Sequence, residues 1–186
     1  MSELAEQEVA QTPSQKLAQT PSQTVGPFFH FALEYNGSAQ LVPGHHPNAI
    51  ALHGTVFDGM GSPVPDALVE IWQTDAAGEI PRQLGSLDRD GLTFTGFGRS
   101  ATNRAGAFQF TTVRPGTSFV LVTVFARGLS HHLVTRAYLA DIDDTLLRSL
   151  PPHRRSTLVA IEDSTRSYRF DIRLQGHNET VFLEYP

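Results

Sequence analysis

Histidine is the first residue type to test for chemistry, because eight histidines occur and cysteine does not. A metal site would therefore use His, Tyr, Asp or Glu rather than thiolate. The spacing does not support one. His131 and His132 adjoin what reads as a strand, where alternation sends neighbouring side chains to opposite faces. His45 and His46 lie in a Pro/Gly loop with no carboxylate nearby. Both pairs read as surface histidines. Nucleophilic catalysis lacks its parts, since there is no Gly-x-Ser-x-Gly and no cysteine. No phosphate-cradling glycine loop occurs either, so nucleotide cofactors are not expected.

One cation stands out. Phe125-Ala126-Arg127-Gly128 ends the most apolar run in the chain with a permanent positive charge. A guanidinium at a strand mouth can hold a carboxylate or stabilise developing negative charge. It can equally reach out to water or pair with an acidic neighbour. Arg136, set among apolar residues in Leu133 to Tyr138, reads as structural, with Asp75, Glu79 and Asp171 as possible ion-pair partners.

The elements that position these residues are mostly strands. Ile50, Leu52, Gly54 and Val56 alternate with Ala51, His53, Thr55 and Phe57, and turn residues follow from Asp58 to Pro63. Ala67 to Gln73, Ala107 to Val113 and His132 to Leu139 also read as strands. Phe119 to Phe125 is almost wholly apolar, as expected of a strand buried on both faces. Ser167 to Gln175 shows a strict period of two. One helix is expected, capped by Asp141, with Leu146, Leu147 and Leu150 on one side and Pro151-Pro152 stopping it. Seven or so strands with few short helices predict a mainly β chain, a β-sandwich with an extended N-terminal arm. The arm spans residues 1–23, where QTPSQ occurs at Gln11 to Gln15 and again at Gln19 to Gln23. One domain fills 24–186.

Composition narrows the partners. The 186 residues carry 14 basic and 19 acidic side chains, a formal charge of −5 without long runs of either sign. Nucleic acid and anionic membrane are poor partners for such a surface. No apolar stretch could span a bilayer and no secretory signal is evident, so the chain reads as cytoplasmic.

Several segments, in order, resemble the intradiol ring-cleaving dioxygenases: Thr20 to His30 (TPSQTVGPFFH), Gly54 to Glu79, Phe97 to Gly116, Phe125 to Leu129 (FARGL), Leu133 to Leu139 and Tyr168 to Tyr185. The resemblance implies a β-sandwich and a ferric iron held by two tyrosines and two histidines, because tyrosinate is a hard donor suited to Fe(III). The matching positions here are Ile80, Thr117 or Ser118, Phe119 and Leu121, and none can stand in for those ligands. Tyr35, Tyr138, Tyr168 and Tyr185 fall elsewhere in the pattern.

The resemblance therefore implies an iron-free, alpha-type subunit, beside a homologous beta-type subunit that holds the Fe(III). The implied substrates are O2 and a small catecholate, 3,4-dihydroxybenzoate, opened to 3-carboxy-cis,cis-muconate in aromatic catabolism. Carried over by motif, the pocket residues are Thr24, Gly26 and Pro27, with Phe28 adjacent, for substrate binding, and Arg127 for catalysis. The rival expectation is a non-catalytic β-sandwich binding module, since fold alone does not assign function.

Overall fold

The computed structural model describes residues 21–83 and 89–184. Most of the expected arm, including the first QTPSQ copy, lies outside the described residues.

Nine strands lie along the described chain: β1 (Ala49–Phe57), β2 (Leu68–Trp72), β3 (Phe97–Ala101), β4 (Ala107–Val113), β5 (Phe119–Phe125), β6 (Leu133–Tyr138), β7 (Ile161–Ser164), β8 (Ser167–Arg169) and β9 (Ile172–Arg173). One sheet runs β4-β1-β8-β7, with β9 also paired to β1, and the other runs β3-β2-β5-β6. The core lies between them. Ile50, Leu52 and Val56 of β1 meet Val69 and Ile71 of β2, Phe110 of β4 and the valines 120, 122 and 124 of β5. Burying each such side chain contributes about 1.5–3 kcal/mol against leaving it in water.

Alternation in β1 falls as expected, with positions 50, 52, 54 and 56 buried. β5 differs from its expectation. Its valines are buried, whereas Phe119, Leu121, Thr123 and Phe125 are half-exposed on the outer face. An apolar run signals burial on both faces only if something covers both, and here one face is only partly covered.

The expected final strand is divided into β8 and β9. A side chain on Gly54 would place its Cβ 1.9 Å from the Phe170 carbonyl oxygen, so the strand passes close to β1 at that point. Phe170 N–H donates to the His53 carbonyl at 2.7 Å, and Thr55 N–H donates to the Asp171 carboxylate at 3.1 Å. A side-chain acceptor thus replaces one rung of the ladder. Two strands, β3 and β7, were not expected from sequence.

The helical excursion also needs correction. Its α-helix is Thr145–Ser149, and the cap is Asp144, not Asp141: the Asp144 carboxylate accepts from Leu146 and Leu147 N–H. Asp141 pairs with Arg155 instead. Pro152 does not simply stop the helix but opens a second short one, Pro152–Arg155, a favoured first-turn position for a residue without an N–H. A further short helix, Phe29–Leu33, follows the described part of the arm. Leu147, Leu158 and Tyr138 form a second small buried cluster with Phe119 against it.

Candidate functional site

Arg127 stands just past β5. Leu68 pairs with Phe125 in the antiparallel β2–β5 ladder. Two residues beyond that rung, the same register sets Asp66 opposite Arg127, and the Arg127 Nε donates to the Asp66 carboxylate. The acid is well covered at 16% side-chain exposure, while the cation remains 56% exposed. Asp66 therefore fixes the direction of the guanidinium without enclosing it. Sequence reasoning missed Asp66, although the register between two recognised strands points to it.

The turn after Arg127 is joined to the arm. Gly128 adopts a left-handed backbone, φ +89°, which a glycine takes without steric cost. Its N–H donates to Thr24 Oγ1 at 2.8 Å. Ser22 and His131 lie within hydrogen-bond distance, Oγ to Nδ1 3.3 Å. Val25 lines a groove of about 360 Å³ with Phe125, Leu129 and His132. Of the expected pocket residues, the fold thus brings Thr24 to the Arg127 turn. Gly26, Pro27 and Phe28 project from the surface, and the Phe28 ring is 73% exposed. An added Cβ at Gly26 would meet nothing within 4 Å.

The two histidine pairs behave as surface groups. His131 and His132 precede β6 rather than lying within it, and His132 packs its ring against Phe125, centroids 5.6 Å apart. His46 accepts from Asn48 N–H within its own loop.

The four positions that the resemblance assigns to iron ligands gather where β2 ends and β5 begins. The loops carrying them touch: Gly116 N–H donates to the Asp75 carbonyl at 2.8 Å, and a Cβ on Gly116 would come 2.4 Å from Gly78 N. Ile80 is exposed and Thr117 Oγ1 bonds Thr74 Oγ1 at 3.1 Å. Phe119 lies under the Arg136 guanidinium, 4.3 Å from its ring centre, and packs on Tyr138 at 5.5 Å. Leu121 pairs with both Trp72 and Arg136 across the sheet. Aliphatic and phenyl side chains beside a permanent cation do not fit a ferric ion, which needs anionic and imidazole donors. Among the described residues, no three His, Asp or Glu side chains converge to hold a metal.

Arg136 is structural, but by a route other than those expected. It donates to Tyr138 Oη at 3.2 Å and stacks on Phe119, and it pairs with none of Asp75, Glu79 or Asp171. Asp75 accepts from Ala77 and Glu79 N–H in its own loop, and Asp171 pairs with Arg169. Tyr138 in turn donates to Asp144 at 2.8 Å. Burial pushes the Tyr138 hydroxyl above its ordinary pKa, chiefly by desolvating the phenolate. Burial also disfavours ionised Asp144. The hydrogen bonds from Tyr138 and from Leu146 and Leu147 N–H, with the Arg136 charge, nevertheless hold its carboxyl below the usual range.

The two-sheet sandwich is the fold expected of an intradiol dioxygenase, and the comparisons agree on family and fold. The dioxygenase family model matches residues 26–121, and the chain belongs to the intradiol ring-cleaving dioxygenases. Within that family it is 38% identical to the protocatechuate 3,4-dioxygenase alpha chain of Burkholderia cepacia, over 94% of this chain and 97% of that one. The beta chain of the same organism's enzyme is 28% identical over 70% of this chain and 66% of its own length. Among solved structures, a dioxygenase domain from Streptomyces sp. SirexAA-E superposes with a TM-score of 0.55 at 20% identity, covering 85% of this chain and all of that one, which supports the fold. Among the described residues no helix is long and apolar enough to cross a membrane.

Proposed function

We propose that this chain is the iron-free alpha subunit of a cytoplasmic, hetero-oligomeric protocatechuate 3,4-dioxygenase, in which a homologous beta subunit carries the Fe(III). The observation that carries the reading is the replacement of every expected ligand by Ile80, Thr117 or Ser118, Phe119 and Leu121, in a chain that resembles a named alpha chain along nearly its whole length. The enzyme opens the ring of 3,4-dihydroxybenzoate with both atoms of O2, giving 3-carboxy-cis,cis-muconate. No step of that chemistry runs on a metal held by this chain.

This chain supplies a wall of the pocket. Thr24, Gly26, Pro27 and Phe28, at the start of the domain directly after the arm of residues 1–23, form that wall together with Arg127. Gly26 permits close backbone approach, because no other described residue would come within 4 Å of a Cβ there, and Pro27 stiffens the segment. Arg127, held at one side by Asp66 and open at the other, attracts the anionic substrate and offsets negative charge that develops on it. The exposed apolar ring of Phe28 gains a partner when the subunits assemble.

Co-expression with a homologous chain that retains two tyrosines and two histidines tests the proposal. The two chains are expected to copurify as a burgundy complex that cleaves 3,4-dihydroxybenzoate. A colourless chain that forms no complex overturns it.

A further inference from the structure

The end of the first sheet where β1 and β8 start and β4 finishes holds a feature that the proposed function does not use. A cavity of about 400 Å³ is lined there by Arg114, Arg166, Asn48, Tyr168, Ile50 and Val113, among others, with no carboxylate in its lining. Arg114 follows β4 directly. Its Nη1 donates to Tyr168 Oη at 2.8 Å, and its guanidinium lies 5.6 Å from the centre of that ring. Tyr168 is itself only 3% exposed.

Arg166 is held in place by its backbone. It sits in the β7–β8 turn with φ +61°, a left-handed conformation that costs a non-glycine residue on the order of 1 kcal/mol. Its carbonyl accepts from Ala51 N–H at 2.8 Å, which ties the turn to β1, and its Nη1 donates to the Pro47 carbonyl. Among the described residues five arginines, Arg99, Arg127, Arg148, Arg155 and Arg169, and one histidine, His53, pair with a carboxylate. Arg114 and Arg166 are among the arginines that do not. In a chain of net charge −5, two cations line one cavity to which no acid among the described residues contributes.

We propose that this cavity binds a small aromatic carboxylate. Planar guanidinium forks suit a carboxylate better than a point charge does, the Asn48 amide adds a polar group, and Ile50 and Val113 offer an apolar wall for a ring. The volume lies within the range of small-ligand sites, about 300–1,000 Å³. The site is separate from the Arg127 turn, because β5 intervenes and its seven residues span on the order of 20 Å. It also shares no residue with the four positions matched to iron ligands.

Benzoate binding to the purified assembly, followed by equilibrium dialysis, is the test. With the iron pocket filled by carboxylate-free catechol under anaerobic conditions, one benzoate site per copy of this chain is expected to weaken at least tenfold in Arg114→Gln and in Arg166→Gly, and to persist unchanged in Arg127→Ala. Arg166→Gly removes the cation and the backbone strain together, so it is expected to melt no lower than the parent and keeps the test independent of folding. Uncharged benzamide is expected not to occupy the site. Three results overturn the proposal: benzoate binding that survives both arginine substitutions, benzamide binding as tightly as benzoate, or displacement of benzoate by inorganic phosphate at equal concentration, which marks a generic anion patch. Loss of ring cleavage in Arg127→Ala with benzoate binding intact separates this site from the proposed catalytic surface.

Discussion

The two ends of β5 have opposite characters. At its start lie Phe119 and Leu121, which the motif resemblance matches to metal ligands, and Arg136, Tyr138 and Asp144 close a connected network beside them. At its finish, Arg127 stays more than half exposed, held by Asp66 and with the Thr24 segment alongside. One strand thus carries a closed, packed end and an open, polar end. On the proposed function, a subunit without a metal site still serves catalysis: the end matched to the ligands is packed into structure, while the other end keeps a cation directed outward. Substitutions at the closed end should act on stability, and those at the open end on activity.

The largest effect is expected at the closed end. Tyr138 is fully buried, and Tyr138→Ala leaves a cavity while stranding Asp144 and Arg136. A loss of about 3–5 kcal/mol is expected from comparable aromatic truncations. Urea denaturation of the purified chain or complex measures it. A loss below about 1 kcal/mol would show that the network is not what holds this end together.

Next comes Arg127→Ala at the open end. Ring cleavage in the assembled enzyme is expected to fall roughly 10- to 100-fold, about 1.4–2.7 kcal/mol of transition-state stabilisation. Iron content should stay unchanged. The urea midpoint should barely move, since an ion pair with one exposed partner contributes little. Iron loss or dissociation of the complex would instead assign Arg127 to the interface. Asp66→Asn is expected to do less, a several-fold rise in KM for 3,4-dihydroxybenzoate, because the cation remains and loses only its orientation.

The sequence carried the strands whose pattern is set by their own side chains. β4 and β5 have the expected bounds, Ala107–Val113 and Phe119–Phe125. β3 was missed because Gly98 and Arg99 break its pattern. Gly98 is small for a tertiary reason: a Cβ there would sit 2.5 Å from Leu41. β7 was missed because all four residues are exposed and the segment shows no alternation. The cap shifted from Asp141 to Asp144, whose carboxylate is also held by Tyr138 at the end of the preceding strand, while Asp141 is engaged by Arg155. Thr24 and Arg127 were named from motif, and the Gly128–Thr24 hydrogen bond spans 104 residues of separation that no pattern encodes.

The smallest effects test how the arm and the network respond to mild change. Thr24→Val removes the acceptor for Gly128 N–H at an exposed site, where water can replace it. About 0.5–1 kcal/mol or less of local stability should be lost, measured as faster amide exchange at Gly128. An unchanged exchange rate would release the arm from the Arg127 turn.

Acid titration probes the closed end. Because the folded-state pKa of Asp144 is depressed, its contribution to stability is present above the ordinary carboxylate value of 3.8 and is lost as pH falls through the folded-state value. Tyr138 runs the other way. Its raised pKa makes stability fall only as pH climbs above its ordinary value of 10.0. Between those limits neither group titrates, so the closed end should show flat stability across neutral pH. Asp144→Asn should flatten the acid limb of a plot of urea midpoint against pH while leaving the neutral plateau lower. An acid limb that keeps its parent slope in this variant would show that other carboxylates govern acid unfolding. The network around Phe119 would then be held by packing rather than by charge.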